Sequence, residues 1–261
     1  MVAPANANSR NANSRRDCAG YCMADPNRER FERIVRLLEP LLDRLVFVDG
    51  CVTGSLMTDP AAARIRLTRD VDVTADLTSY AMYAALAERL RTLGLRADTS
   101  EGAPAGRWRH GDAVIDLVPT DRSVLGFSNS WYQSAMTSDQ CVSIAGLPAR
   151  IIAPPYYLAA KLEAFHGRGQ ADVIASSDLE DLVMVVDGRP QLLAEIERAD
   201  SHVRQFIASE IHALMGNRRF TDGLAAFLDP DRASQARRPL LERRLNAIAA
   251  LSTRQPERVI F

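Results

Sequence analysis

The chain has 261 residues, a formal net charge of −1 and an apolar fraction of 47%, which permit one large domain or two modest ones with a real core. No apolar run approaches the roughly 18 residues that a membrane span needs, and the near-zero charge gives no overall field pointing to nucleic acid. The first residues lack an apolar signal segment, so we expect a cytoplasmic protein, without a membrane partner, whose four cysteines are reduced thiols.

The first segments lead from a polar tail into a helix and a strand. Residues 1–26 are rich in Asn, Ser, Ala and Arg without periodicity, which predicts a disordered tail. An amphipathic helix follows, and Pro40 is expected to kink or restart it. A short apolar strand over 45–48 then turns at Asp49-Gly50 into a short helix over 51–57. An early strand and helix of this kind favour an α/β fold.

The middle of the chain alternates between strand and helix patterns. A strand is predicted over 71–75, and a helix over 79–93 ends at Gly94. A hairpin pairs 107–110 with 113–118, and a second hairpin is predicted to turn at 146–148. This part is therefore expected to build a sheet.

After Pro154-Pro155 the apolar spacing becomes helical as far as about Leu251. Ser177-Asp178-Leu179-Glu180 has the pattern of a capping box that opens one of these helices. We therefore predict an α/β domain over 27–153 and a helical domain over 154–261.

Two aspartates stand two residues apart in the strand that begins near residue 70. In Thr68-Arg69-Asp70-Val71-Asp72-Val73, alternation sends Asp70 and Asp72 to one face, with Cα atoms roughly 7 Å apart. Two carboxylates at that spacing can bind divalent cations such as Mg²⁺. The alternative is an exposed strand edge that carries charge against aggregation.

A third acid, Asp116, lies inside the apolar run Val114-Ile115-Asp116-Leu117-Val118. A carboxylate beside a core is costly without a partner, so it needs a cation or a hydrogen-bond donor. Metal binding is one solution. An ion pair with Arg107 or Arg109 across the hairpin is the other.

Other residues are suited to phosphate. The chain has 32 basic residues, and Lys161 is the only lysine among them. Lysine is a compact point charge that can contact single phosphate oxygens. Gly50 follows an apolar strand, where backbone N–H groups can meet a phosphate. Arg168 lies between two glycines and could also bind a phosphate.

Asp178 and Asp181 stand three residues apart in the first turn of their helix, so their side chains share one helix face.

In their order along the chain, these features resemble the DNA polymerase β-like nucleotidyltransferase superfamily. From the N-terminal side they are a strand, the turn at Gly50, the pair Asp70 and Asp72, the strand aspartate Asp116, Lys161 with Arg168, and the helix with Asp178 and Asp181. Within it, the chain is similar to the AbiEii-type toxin nucleotidyltransferases, including the MenT-like tRNA-modifying toxins, over about residues 45–190. The resemblance implies an α+β core with a mixed sheet, and a helical C-terminal domain that completes the active-site cleft. It implies a cytoplasmic, Mg²⁺-dependent enzyme that transfers a nucleoside monophosphate from an NTP. In several relatives the acceptor is the 3′ end of tRNA, and an antitoxin protein neutralises the enzyme.

The resemblance also assigns roles to residues. Catalysis falls to Asp70, Asp72, Asp116, Lys161 and Asp181. Nucleotide contacts fall to Gly50, Cys51, Thr68, Lys161 and Arg168. Asp70, Asp72 and Asp116 would hold two Mg²⁺ ions, with Asp116 as a third ligand or as the proton acceptor.

One position departs from the family pattern. Asp49 stands where relatives have the first glycine of a Gly-Gly or Gly-Ser turn, and its carboxylate would repel a triphosphate unless it points away or helps to hold metal. Gly54-Ser55 is a second, lower-ranked candidate for that turn.

Two other readings remain open. The acceptor could be a small molecule or a protein side chain instead of RNA. The substitution at Asp49 could instead mark a degraded site that only binds nucleotide or a partner protein. The late arginines could line a groove for RNA or form a solvated helix face; they are Arg232, Arg237, Arg238, Arg243 and Arg244.

Overall fold

The computed structural model describes residues 25–62, 64–168 and 172–253. Most of the predicted tail, including Cys18 and Cys22, lies outside the described residues. Where the description begins, Asn27 is buried: its side chain donates to the carbonyl of Arg66 (2.8 Å) and accepts from the N–H of Thr68 (2.8 Å). The chain is therefore anchored to the loop before the Asp-x-Asp motif from residue 27 onward.

Seven strands form one mixed sheet in the order β3-β4-β5-β2-β1-β7-β6. The strands are β1 (Val46–Val48), β2 (Val71–Ala75), β3 (Arg96–Ala97), β4 (Arg107–His110), β5 (Ala113–Pro119), β6 (Gln140–Ile144) and β7 (Leu147–Ile151). The β1–β7 and β2–β5 pairs are parallel and the other pairs antiparallel. The predicted combination of a mixed sheet and a helical C-terminal region is confirmed.

Helices connect the strands in the first half of the chain and form most of the second half. They are α1 (Arg28–Leu37), α2 (Thr53–Leu56), α3 (Tyr80–Thr92), α4 (Arg122–Leu125), α5 (Tyr132–Ala135), α6 (Pro154–Gly167), α7 (Ser177–Gly188), α8 (Leu192–Arg198), α9 (Ser201–Gly216), α10 (Arg218–Gly223), α11 (Arg232–Gln235) and α12 (Arg238–Ala249). No helix among the described residues is long and apolar enough to cross a membrane.

The sequence explains most of these boundaries. Pro40 restarts the chain as a 3₁₀ turn after α1, because a proline cannot continue the hydrogen-bond ladder. The Ser79 hydroxyl caps α3 by accepting from the N–H of Met82 (3.3 Å). Gly94, with φ +84°, takes the left-handed conformation that ends this helix.

Three boundary predictions need correction. The second hairpin turns at Ala145–Gly146, where both residues have positive φ, and not at 146–148. The cap of α7 is Ser176, one residue before the predicted capping box, and its hydroxyl accepts from the N–H of Leu179 (3.3 Å). Residues 51–57 begin inside a 3₁₀ turn over Asp49–Val52, so only Thr53–Leu56 is α-helical.

One continuous cluster of buried apolar residues runs from Phe31 in α1, through the central strands, to Leu251 near the end of the described chain. Helix α6 packs against α7 and α9, and α12 packs against α9 and α7. The C-terminal helices thus pack on one another within the same apolar core as the sheet, and the predicted division at residue 153 remains a prediction.

Candidate functional site

A cleft of about 810 Å³ opens where the central strands meet α6. Strand residues, loop residues and one face of α6 form its walls. They include Asp49, Arg66, Thr68, Arg69, Asp70, Asp72, Arg107, Asp116, Phe127, Tyr132, Tyr157, Lys161 and Arg168. The sheet and the helix therefore bring most of the predicted site residues into one cavity.

Strand pairing places the predicted carboxylates together. Asp72 on β2 lies directly across from Asp116 on β5 in a parallel pair, and across from Val48 at the end of β1. Asp70 immediately precedes β2, and its carboxylate accepts from the Thr68 hydroxyl (3.0 Å). With Asp49 just after β1, these residues form what we call the acidic cluster: Asp49, Asp70, Asp72 and Asp116.

Arg107 is a partner of two members of this cluster. It lies across from Asp116 in the β4–β5 hairpin, and its Nε and Nη2 donate to the two carboxylate oxygens of Asp116 (2.8 and 2.6 Å). Nη2 also donates to Asp70 (3.1 Å). The ion pair with Arg107 that the sequence left open for Asp116 is therefore present. These carboxylates raise the pKa of the Arg107 guanidinium.

Asp72 is the unpaired member of the cluster. Among the described residues, no hydrogen bond or ion pair holds its carboxylate. Burial, together with the negative charges of Asp49, Asp70 and Asp116, raises the pKa of Asp72 well above its ordinary value of 3.8. Within the described part of the chain, no three acidic, histidine or cysteine side chains are arranged as metal ligands. The assignment of Asp70, Asp72 and Asp116 to metal remains a prediction.

Lys161 lies on the inner face of α6 and is 3% exposed. Its ammonium donates to Asp49 and to Asp181 (2.6 Å), and lies 3.5 Å from Asp178. Burial alone would lower the pKa of Lys161, but the surrounding negative groups raise it well above its usual range. Lys161 is therefore held by carboxylates at the end of β1 and on α7.

Asp49 begins the turn that the sequence assigned to phosphate, and its backbone conformation is unusual. Its φ is +62°, in the left-handed region that glycine adopts without strain and that aspartate tolerates better than most residues. One carboxylate oxygen, Oδ1, accepts both from the N–H of Gly50 (2.6 Å) and from Lys161. Burial would raise the pKa of Asp49, but Lys161, Arg168 and the N–H of Gly50 together outweigh this effect and lower the pKa. Asp49 thus occupies two donors that the sequence assigned to phosphate.

The late-helix aspartates are held by cations from two directions. Arg66, in the loop before β2, makes two hydrogen bonds to Asp181 (2.9 and 3.2 Å). Arg168 donates to Asp178 (2.8 Å) from the end of α6. Arg66 was not singled out in the sequence, because nothing in an isolated loop arginine indicates a partner 115 residues away.

The glycine-turn residues differ in what they offer. Gly50 is buried, and a Cβ there would lie 3.2 Å from both Arg66 and Asp181, so the turn has little room for a side chain. The thiol of Cys51 points into the core and donates to the carbonyl of Val48 (3.1 Å), which leaves only its backbone for a ligand. Gly54 lies within α2, where a Cβ would meet Asp25 at 2.3 Å, so packing explains this glycine.

Three of the five late arginines are engaged in contacts within the fold. Arg237 pairs with the buried Asp187 (2.9 Å) and with Asp59 (2.7 Å), and Arg244 donates to the carbonyls of Val186 and Asp187. These contacts tie α12 to α7. Arg238 is paired with Glu242 on its own helix (2.8 Å). Arg237, Arg238 and Arg244 therefore have partners within the protein.

Comparison with known proteins gives little beyond this geometry. No protein-family model matches the chain, and no curated protein sequence matches it. Among solved structures, it is similar to an antigenic nucleotidyltransferase-like protein from Paracoccidioides brasiliensis, at 17% identity, over 76% of this chain and 93% of that one. The TM-score is 0.45, and at that level the likeness supports no inference about this chain.

Proposed function

We propose that this protein is a nucleotidyltransferase that uses Mg²⁺ to transfer a nucleoside monophosphate from an NTP to an acceptor hydroxyl. The observation that carries the proposal is that acidic and basic side chains line one cleft. Asp70 and the unpaired Asp72 lie on the sheet side and Lys161 lies on α6, and the N–H of Gly50 lies near Lys161, because both donate to Oδ1 of Asp49. Carboxylates for a metal close to donors for phosphate are what binding of a metal triphosphate requires.

The acidic cluster suits a divalent cation. Asp72 has no partner among the described residues, and its pKa is raised partly by the like charges around it, so a cation there would relieve an existing repulsion. Asp70 and Asp72 would hold the ion. The resemblance implies a second ion at Asp116, whose two oxygens both face Arg107. Bound Mg²⁺ supplies charge neutralisation at the phosphates.

The chain's own residues would position the reaction. Lys161 and the Gly50 N–H would bind phosphate oxygens, with Thr68 close by on the loop before β2. The acceptor hydroxyl oxygen forms a bond to the α-phosphorus, and the bond from the α-phosphorus to the bridging oxygen breaks, so that pyrophosphate leaves. The hydroxyl proton passes to a carboxylate of the cluster, with Asp116 as one candidate. Catalysis of this kind consists mainly of positioning and electrostatic stabilisation.

For the acceptor we propose RNA, with the 3′ end of tRNA as the specific hypothesis, and a toxin role neutralised by an antitoxin protein. Exposed arginines favour a polyanionic acceptor. Arg69 lines the cleft. Arg96 lies on the outer strand β3, directly opposite Arg109 on β4. The resemblance in the motifs suggests tRNA and an antitoxin.

The proposal can be tested by incubating the protein with each α-³²P-labelled NTP, Mg²⁺ and total RNA, and separating the products. We expect label on RNA with release of unlabelled pyrophosphate, and none when EDTA is added. Label on a protein or a small molecule would instead support a different acceptor. Mg²⁺-dependent NTP binding without any labelled product would show that the protein binds nucleotide but does not transfer it.

That last outcome has a specific basis in the structure. Asp49 occupies both Lys161 and the N–H of Gly50, so a triphosphate must displace a buried carboxylate before it reaches either donor. Nucleotide binding without turnover is therefore the second candidate function.

Asp49→Asn is expected to increase the affinity for Mg²⁺–NTP by about tenfold, which corresponds to about 1.4 kcal/mol. Asparagine tolerates the left-handed backbone, but it does not carry the charge that competes with phosphate. Isothermal titration of wild type and variant would measure the change. A weaker affinity in the variant would indicate instead that Asp49 helps to hold the metal.

A further inference from the structure

Arg107 has the geometry of a bound cation within the acidic cluster. Three hydrogen bonds, at 2.6, 2.8 and 3.1 Å, join it to Asp116 and Asp70. Bidentate guanidinium–carboxylate pairs are among the strong charge-assisted interactions in proteins. Strand register fixes this one, because Arg107 and Asp116 are directly opposite each other in the hairpin.

The guanidinium still has donors to offer. Its bonds to carboxylates use Nε and Nη2, and no described residue accepts from Nη1. Arg107 also lines the cleft and is 22% exposed. One edge of the group is therefore held by the protein while the other can reach a ligand oxygen.

Three of the four carboxylates in the acidic cluster are already paired with a cationic side chain. Asp49 is paired with Lys161, while Asp70 and Asp116 share Arg107. Only the Asp72 carboxylate has no partner among the described residues. A metal ion bound to Asp116 would compete with Arg107, which already holds both carboxylate oxygens in a bidentate pair that is largely shielded from water.

We propose that Arg107 takes the place of a second metal ion: the cleft binds one divalent cation at Asp70 and Asp72, and Arg107 contacts the phosphate or acceptor oxygen from the Asp116 side. The inference rests on the proposed function, and it departs from the two-ion expectation that the family resemblance implies. It makes Arg107 a catalytic residue, since its free edge touches the substrate.

Counting bound ions tests this without measuring turnover. Wild type, Arg107→Met, Arg107→Lys and Arg109→Met would each be dialysed to equilibrium against Mn²⁺ and a non-hydrolysable NTP analogue. Bound metal and bound nucleotide are then both measured per chain. Arg109→Met is the matched control. Arg109 lies on β4 like Arg107, and it also forms an ion pair with an aspartate, Asp98 (2.6 Å).

We expect one Mn²⁺ per bound nucleotide in wild type, Arg107→Lys and Arg109→Met, and two in Arg107→Met, where Asp116 becomes free to bind metal. Two ions in wild type would overturn the inference, whether or not any variant folds. A single ion in folded Arg107→Met would also overturn it. If wild type binds no nucleotide with Mn²⁺, the proposed function itself has failed, and that result is distinct from a wrong ion count.

Discussion

Asp72→Asn is expected to abolish Mg²⁺-dependent nucleotide binding and transfer while making the metal-free protein more stable. The carboxylate is the unpaired member of the acidic cluster, so no described residue uses its charge to hold the fold, and the proposed function assigns that charge to a metal. Loss of a direct metal ligand should weaken metal-dependent binding by at least about a hundredfold, the upper range for mutations of second-shell residues. The measurements are nucleotide titration with Mg²⁺ and thermal unfolding without it.

The sign of the stability change follows from the raised pKa of Asp72. In the unfolded chain the group titrates near 3.8, and in the folded protein it titrates well above that value. The contribution of Asp72 to stability is therefore most favourable when the pH is below 3.8, and this contribution is lost as the pH rises through the folded-state pKa of Asp72. Asparagine removes this loss, so the gain in Tm should be present at neutral pH and should disappear in acid.

Two other substitutions sharpen the result. Asp70→Asn should lose nucleotide binding without a gain in stability, because Asp70 accepts hydrogen bonds from Arg107 and Thr68 in the metal-free protein. Asp76→Asn, the same change at an exposed position just beyond β2, should alter neither property. A fully active Asp72→Asn protein would contradict the assignment of this cleft to metal-dependent chemistry.

Local patterns in the sequence predicted the scaffold of the site. Alternation placed Asp70 and Asp72 on one face of a strand, the apolar run around Asp116 placed that acid on a second strand beside the core, and the helical spacing after Pro155 placed Lys161 on a helix. These positions follow from the periods of strands and helices, which depend on neighbouring residues only. The parallel pairing of β2 with β5 then brought Asp72 and Asp116 side by side.

The hydrogen-bond partners of the site residues could not be predicted from local sequence patterns. Asp49 and Lys161 are 112 residues apart, and Arg66 and Asp181 are 115 apart. Which of them meet depends on the order of strands in the sheet and on how α6 and α7 lie against it. The sequence indicated that Asp49 departs from a glycine, but only the fold shows that its carboxylate occupies the donors expected to meet phosphate.

Lys161→Met is expected to destabilise the protein by about 3–5 kcal/mol, the usual cost of removing one partner from a buried ion pair, which corresponds to a fall in Tm of roughly 6–20 °C. Lys161 is buried among three carboxylates. Asp181 keeps Arg66 and Asp178 keeps Arg168, so the uncompensated charge falls mainly on Asp49. Differential scanning calorimetry of wild type and variant would measure the loss.

A double variant identifies the group responsible. Asp49→Asn combined with Lys161→Met should recover most of the stability lost in Lys161→Met alone, because it removes the carboxylate left without a cation. Lys161→Arg should retain most of the stability, since it keeps the charge. It should still lose at least about tenfold in nucleotide transfer, since a planar fork cannot reproduce the point contact of an ammonium with a phosphate oxygen.

The dependence on pH gives an independent check. With Lys161 present, the pKa of Asp49 lies below 3.8, so the pair contributes stability above pH 3.8 that is lost as the pH falls through the lowered value. Without Lys161, burial dominates and the pKa of Asp49 should rise, so the variant is penalised as the pH increases. The gap in Tm between wild type and Lys161→Met should therefore widen from acid to neutral pH. A gap that stays constant across that range would place the stabilising role of Lys161 in packing and not in its charge.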